Sequence, residues 1–179
     1  MFTFRIRCCA VQLFNLLAGG IGSSRLMKMS DLHATWNLTS IYSQSKSGNR
    51  NFHFGKDAVG RLTYTSNGFM HAFIMKRDRP TFEGGGIDEG TSEEIRSAFQ
   101  DFDAYSGRYT VDLSEGTVVH HVDMARSPAW VGLDLMRFFK IEDQTLSIYT
   151  DEFYSDWQGE DIVVFVEWCS PSAQCGPLA

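Results

Sequence analysis

Two runs rich in β-forming residues, Gly60–Thr65 and Phe69–Met75, flank the dipeptide Asn67–Gly68. Asn-Gly is the strongest local signal for a two-residue β-hairpin, because both central residues of that turn must reach positive φ. The chain is therefore expected to contain a tight antiparallel hairpin between about Gly60 and Met75. A second hairpin is expected where Gly107–Leu113 and Thr117–Met124 flank the turn residues Asp112 to Gly116. Successive hairpins make a meander, and a meander of this length closes into a barrel or a sandwich.

Further strands read at Thr35–Tyr42, Leu133–Ile141, Thr145–Thr150 and Ile162–Trp168, with Trp36, Leu38 and Ser40 placed on one face of the first. One helix is expected. Thr91 caps its free amides and Glu94, three residues on, completes a capping box. Ile95, Ala98, Phe99 and Phe102 follow at helical spacing, Tyr105 extends the stripe, and Gly107 stops it, which predicts a helix over about Ser92–Tyr105. About eight strands and one helix suit a small closed antiparallel barrel. The stretch Lys76–Gly90, with its Gly84–Gly85–Gly86 run, reads as a flexible loop forming a lid or rim. It lacks the Lys-Ser/Thr ending that a phosphate cradle needs.

The 179 residues fit one domain with a sizeable core. A net charge of −6 argues against a nucleic-acid partner, which needs a basic face. The aromatic content of 13 % fits a large-residue β-core or a cavity lined with flat side chains. Four cysteines lie in two groups, Cys8–Cys9 and Cys169 with Cys175, and no C-x-x-C pair points to zinc. Cys169 and Cys175 would close a small loop in an oxidising compartment and stay free thiols in a reducing one. Residues 1–26 differ from the rest: Arg5 and Arg7 precede a short apolar run interrupted by Gln12 and Asn15. That is the shape of a secretory signal, too short for a transmembrane span; a transit peptide or an extension ahead of a start at Met27 or Met29 reads equally well. Localisation thus divides between secreted and cytoplasmic. The expected division is an extension over 1–26 and a barrel domain over 27–179. The triplet Asn37–Leu38–Thr39 falls in a predicted strand, a poor place for a glycan.

From about Leu32 to Trp168 the chain resembles the lipocalin-like domain family, a calycin-type group of bacteria and fungi. The resemblance rests on segments in order: Ala34–Leu38, Gly60–Thr65 with the Asn67–Gly68 turn and Met70, Arg79–Phe82, Gly90–Glu94, Tyr105–Tyr109, Val119–Asp123, Pro128–Gly132 and Arg137. The family usually has glycine where Ala34 stands and often another residue in place of Arg108. The resemblance implies an antiparallel barrel with an internal cavity, and fungal members look like accessory proteins of natural-product pathways. Calycins also close one barrel end with an arginine on a tryptophan, a place Arg137 would fill over Trp36.

The best candidate cluster for chemistry is His120–His121 with Asp123. Strand alternation puts His120 with Val118, Val122 and Met124, and His121 with Val119 and Asp123, so one histidine points inward; its apolar company selects His120. A cavity histidine can act as general acid or base near neutral pH, and the bland alternative is a buried histidine hydrogen-bonded to a tyrosine or carboxylate. Two strand histidines facing opposite ways cannot chelate one ion, so no metal is expected. Arg61 and Arg137 sit in predicted strands, where an inward arginine is a candidate for gripping a ligand carboxylate, enolate or phenolate; closure over Trp36 is the favoured alternative for Arg137. Tyr64, Met70, Phe73, Tyr109, Trp130 and Phe139 are the candidate pocket lining, with plain core packing expected at half or more of them. No nucleophile motif, dinucleotide fingerprint or phosphate loop is present, so no cofactor is expected. Two functions follow. One is a barrel that binds a small apolar or aromatic metabolite, in fungal-type secondary metabolism; the other is a cofactor-free isomerase, cyclase or dehydratase acting on a polyketide- or terpenoid-like intermediate. The sequence leaves the oligomeric state open. The expected site sets one of the two histidines with Arg61 and Tyr64 under the 79–90 loop.

Overall fold

The computed structural model describes residues 27–86, 88–150, 154–155 and 161–173. The expectations for residues 1–26 and Cys175 lie outside the described residues. Strands β1 (Thr35–Ser45), β2 (Arg50–Asn51), β3 (Val59–Tyr64), β4 (Phe69–Met75), β5 (Phe102–Asp112), β6 (Thr117–Ala125), β7 (Asp134–Glu142), β8 (Thr145–Thr150), β9 (Tyr154–Ser155) and β10 (Asp161–Cys169) form one sheet. Every pairing is antiparallel, and β1 pairs with β10 as well as with β3. The sheet therefore closes on itself as a barrel of eight strands, β1-β3-β4-β5-β6-β7-β8-β10, as the strand count predicted, with the two-residue β2 and β9 at its margin. Helices are α1 (Met29–Leu32), α2 (Ser92–Gln100) and a 3₁₀ turn over Pro128–Trp130.

The first hairpin forms between β3 and β4, but its turn is not a two-residue one. Gly68 donates to Thr65 O at 3.2 Å, and Gly68 at φ 87° is the residue that turns left-handed, while Asn67 keeps negative φ. That is a turn over Thr65–Gly68 with glycine at the left-handed position, a longer hairpin connection. The Thr65 hydroxyl accepts from Phe69 N at 3.0 Å and pins this geometry. In the second hairpin Asp112 Oδ1 accepts from Ser114 N and Glu115 N, and Gly116 at φ 64° completes the reversal.

The helix is shorter than its apolar stripe. Thr91 and Glu94 make the expected capping box, but α2 ends at Gln100 and β5 starts at Phe102. Phe102 and Tyr105 thus belong to a strand, where Tyr105 pairs with Ala72. The helical spacing ran on by coincidence into a segment that the sheet claims. Bulges change the facing pattern elsewhere. One between Leu38 and Ser40 resets β1, so that Ser43 and Ser45, not Ser40, share the buried side with Trp36 and Leu38. Another occurs where β5 meets β6 beside Gly107. There a Cβ on residue 107 would lie 1.9 Å from His121 O, so only glycine lets the two backbones approach.

One barrel end is plugged. Leu32 of α1 is fully buried against the core, and Trp36 Nε1 donates to Leu32 O at 3.0 Å. Tyr64, Leu62, Met70, Val118, Phe139, Leu146 and Trp168 fill this end. Outside the barrel, rings stack across strands from Tyr42 to Phe165, Phe165 to Tyr149 and Tyr149 to Phe138, at centroid distances of 5.3, 5.9 and 5.4 Å. This row straddles the β1–β10 join. Cys169 is disulfide-bonded.

Candidate functional site

The inward faces of the strands change character away from the plug. Val166 of β10 lies between Ile41 and the buried Ile148 on the inner side, and Ile41, Ile74, Tyr105, Leu135 and Arg137 also face inward. All of these except Ile148 keep part of their surface open to solvent. These inward side chains mark the end of the barrel away from the plug, and the interior at that end is the lumen.

At the base of that lumen sits His120. It is 1 % exposed and shares the inward face of β6 with Val118 and Val122. Its two ring nitrogens meet two phenols: Nε2 lies 2.6 Å from Tyr64 Oη, and Nδ1 lies 3.0 Å from Tyr105 Oη. Tyr109 packs edge-on against Tyr64 and donates from its own hydroxyl to Thr65 O at 2.8 Å. Trp130 meets Tyr105 edge-to-face at 5.5 Å. Burial pushes the His120 pKa down to about 3, with the Arg137 charge and then His121 adding to the effect. Burial likewise raises Tyr105 to about 12 and Tyr64 well above the usual phenol range. All three groups are neutral near pH 7.

Neutrality fixes the hydrogen-bond direction. A neutral imidazole has one donor and one acceptor nitrogen, so one tyrosine donates to His120 and the other accepts from it. One phenol hydrogen is left over. Tyr64 is fully buried and has no second polar partner among the described residues, so an unused hydrogen there would cost about 1–3 kcal/mol. Tyr105 is only part-buried. The assignment that spares the more deeply buried side chain is Tyr64 donating to Nε2 and Nδ1–H donating to Tyr105, which leaves the Tyr105 hydroxyl hydrogen without a partner among the described residues.

For Arg137 the favoured expectation is barrel closure over Trp36, with ligand gripping as the alternative. It shares the inward face of β7 with the buried Phe139 and stands opposite Val118. No cation-π pair joins it to the Trp36 ring among the described residues, and Trp36 bonds instead to Leu32 O. Its Nη1 donates to Met136 O at 2.7 Å, and no carboxylate pairs with it among the described residues. The nearby inward acid, Asp103, is held by Arg126 at 3.3 Å. The sequence signal was available: Arg137 is two residues from Phe139, so a core-facing Phe139 brings Arg137 inward too.

Two expected site residues are corrected. Arg61 is exposed on the outer side of β3, paired with Phe73, and donates to Gly60 O at 3.0 Å. Phe73 is 48 % exposed beside it. Arg61 and Tyr64 are three residues apart in one strand, which forces them to opposite faces. Tyr64, Met70, Tyr109 and Phe139 face inward but are buried in the plugged end, so Met70 and Phe139 act as core. Trp130 flanks Tyr105.

His121 points outward. Its Nδ1 lies 2.6 Å from Asp134 Oδ1 and its Nε2 lies 3.1 Å from Thr110 Oγ1. The order hydroxyl, imidazole, carboxylate matches a nucleophile with its base and orienting acid. Here, however, the row lies on the open face of a sheet whose backbone amides are spent in the ladder, with Asp134 69 % exposed. Without an oxyanion site it serves as cross-strand pairing.

The described residues of the 79–90 loop pack against α2. Glu94 Oε1 accepts from Glu83 N at 2.8 Å, and Arg79 Nη2 donates to Ala98 O at 2.9 Å. Gly84 and Gly86 leave room for the Glu89 side chain, which a Cβ at either would strike at 2.7 Å. A cavity of about 240 Å³ opens between Arg79–Phe82 and α2, walled by Glu93, Ser97 and Asp101, and it shares no residue with the His120 cluster. Glu94, Ser97 and Asp101 of this cavity are engaged in capping and loop contacts, while the buried Arg79 Nε has no partner among the described residues. Among the described residues no three His, Cys, Asp or Glu side chains converge on a metal position, and no helix is long and apolar enough to cross a membrane.

A plugged eight-stranded antiparallel barrel closed by its first and last long strands is a lipocalin-like fold. Comparison with known families agrees: residues 33–169 match the lipocalin-like domain, and the chain belongs to that family. A similar protein is the 4'-hydroxy-3'-methoxypropiophenone carrier protein ppsC of Aspergillus oryzae, 34 % identical over 87 residues, which cover 45 % of this chain and 78 % of that protein.

Proposed function

We propose that this protein binds and carries a small aromatic metabolite of secondary metabolism inside its barrel. The lumen carries the reading: inward residues of β1, β4, β5, β7 and β10 stay accessible within a closed sheet. Its walls are apolar at Ile41, Ile74, Leu135 and Val166, and its polar groups are few and fixed, the usual make-up of a small-molecule site. The name of the Aspergillus relative points the same way, since the propiophenone it carries is an aromatic ketone bearing a phenol.

The enzymatic reading has one observation in its favour, the Tyr64–His120–Tyr105 relay. A pKa of about 3 leaves His120 a weak base at neutral pH, well below the range that suits a general base. Carriage is therefore the better supported function. The test is native mass spectrometry of protein purified from its own host. A retained small aromatic compound, released on denaturation, is expected. An empty barrel that also fails to bind any of a panel of aromatic ketones and phenols would refute the reading.

A further inference from the structure

We propose that Arg137 and the Tyr105 hydroxyl together grip an acidic oxygen of the ligand, a phenol or enol, and hold it as the anion. This rests on the carrier reading above and names the chemical class of its ligand. Arg137 faces the lumen from β7 and spends a single observed bond on Met136 O. A guanidinium offers five donors in a planar fork that suits two-point contact with an anionic oxygen. The acid that shares the lumen, Asp103, is already paired with Arg126. The Tyr105 hydroxyl has its acceptor side taken by His120 and its hydrogen unclaimed. The site thus presents one cation and one neutral donor, with no anion free to satisfy them among the described residues, against walls of Ile74, Leu135 and Val166. A neutral ether or hydrocarbon would leave the cation without a counter-charge. A deprotonated oxygen on a flat conjugated ring meets both donors at once.

The other titratable groups facing this position are His120, Tyr64 and Asp103, none of which supplies positive charge near neutral pH. The ionised ligand is therefore favoured by Arg137 itself. Trp130, edge-on to Tyr105, is placed to meet the ligand ring beside it.

The probes are 4-nitrophenol, whose anion has its own absorption band, and 4-nitroanisole, the same ring with the proton replaced by methyl. Binding of each to the full-length protein is measured by titration at a pH below the phenol's own pKa. Nitrophenol is expected to bind about tenfold to a hundredfold more tightly than nitroanisole, the usual worth of a charged hydrogen bond, and to show the anion band when bound. Arg137→Gln should abolish both the preference and the band. Arg137→Lys should keep part of each, and Tyr105→Phe should weaken the preference. Equal binding of both probes without the anion band overturns this proposal and leaves the carrier reading standing. Failure of both probes to bind overturns the two together. A folded Arg137→Gln protein that still binds nitrophenol as the anion overturns the role of Arg137. If that variant does not fold, the wild-type comparison and Tyr105→Phe decide.

Discussion

His120 is buried between two phenols, and the cost of charging it there shapes the protein's response to acid. Its folded pKa is lowered from 6.5 to about 3, chiefly by burial. Between those two values the unfolded chain binds a proton that the folded chain refuses, so stability rises with pH through this window and falls as pH drops from about 6.5 toward 3. Well inside the window the slope from this one residue is roughly 1.4 kcal/mol per pH unit. Replacing His120 with Gln keeps polar contacts to Tyr64 and Tyr105 and removes the titration. Urea unfolding at pH 7 and pH 5 should show the wild type losing more stability over that interval than His120→Gln. Equal losses would mean that His120 is protonated in the folded state or unpaired from the tyrosines.

At the scale of elements, α2 depends on its first turn. Thr91 Oγ1 accepts from Glu94 N at 3.3 Å, while Glu94 Oε2 accepts from Thr91 N at 2.7 Å and Oε1 from Glu83 N. These bonds hold the Glu94 carboxyl below its usual pKa. Thr91→Ala should cost about 0.5–2 kcal/mol, read by chemical unfolding, and should speed hydrogen exchange in the Glu83–Gly90 loop as well as in α2. A loss confined to α2 would show that the loop is held independently.

Much of the element layout was legible in the sequence. Asn67–Gly68, Asp112–Gly116 and the Thr91–Glu94 box act locally, and local chemistry is what a sequence displays. The turn type at Thr65–Gly68 depended on a side-chain contact, that of Thr65 with Phe69, and was misread. The end of α2 was misread because Phe102 and Tyr105 happen to continue a helical spacing, while the force that takes them is pairing with β4, more than 20 residues away in sequence. At the site, alternation placed His120 inward and His121 outward before any coordinates. The same rule, applied to Arg61 and Tyr64, would have separated them. The two tyrosines around His120 come from β3 and β5 and the arginine from β7, so only the register across four strands brings them together.

For the whole molecule, α1 is the first described element and packs on the core. Leu32 plugs the end and Met27 packs against the same core, so a chain starting at Met27 retains every contact described. Its thermal midpoint should match that of the full chain within a few degrees. A larger drop would mean that residues 1–26 pack on the barrel. The closing join between β1 and β10 sets a further property. Thr39 bonds to Glu167 O across 128 positions of sequence, whereas β3 to β4, β5 to β6 and β7 to β8 pair near neighbours. Bringing such distant segments together carries a loop-closure entropy that the hairpins escape. The stack of Tyr42 on Phe165 can therefore form only when that join shuts, whereas the stacks of Phe165 on Tyr149 and Tyr149 on Phe138 lie within strands already paired. One ring pair thus marks the folding clock's final step, written on the outside of the molecule.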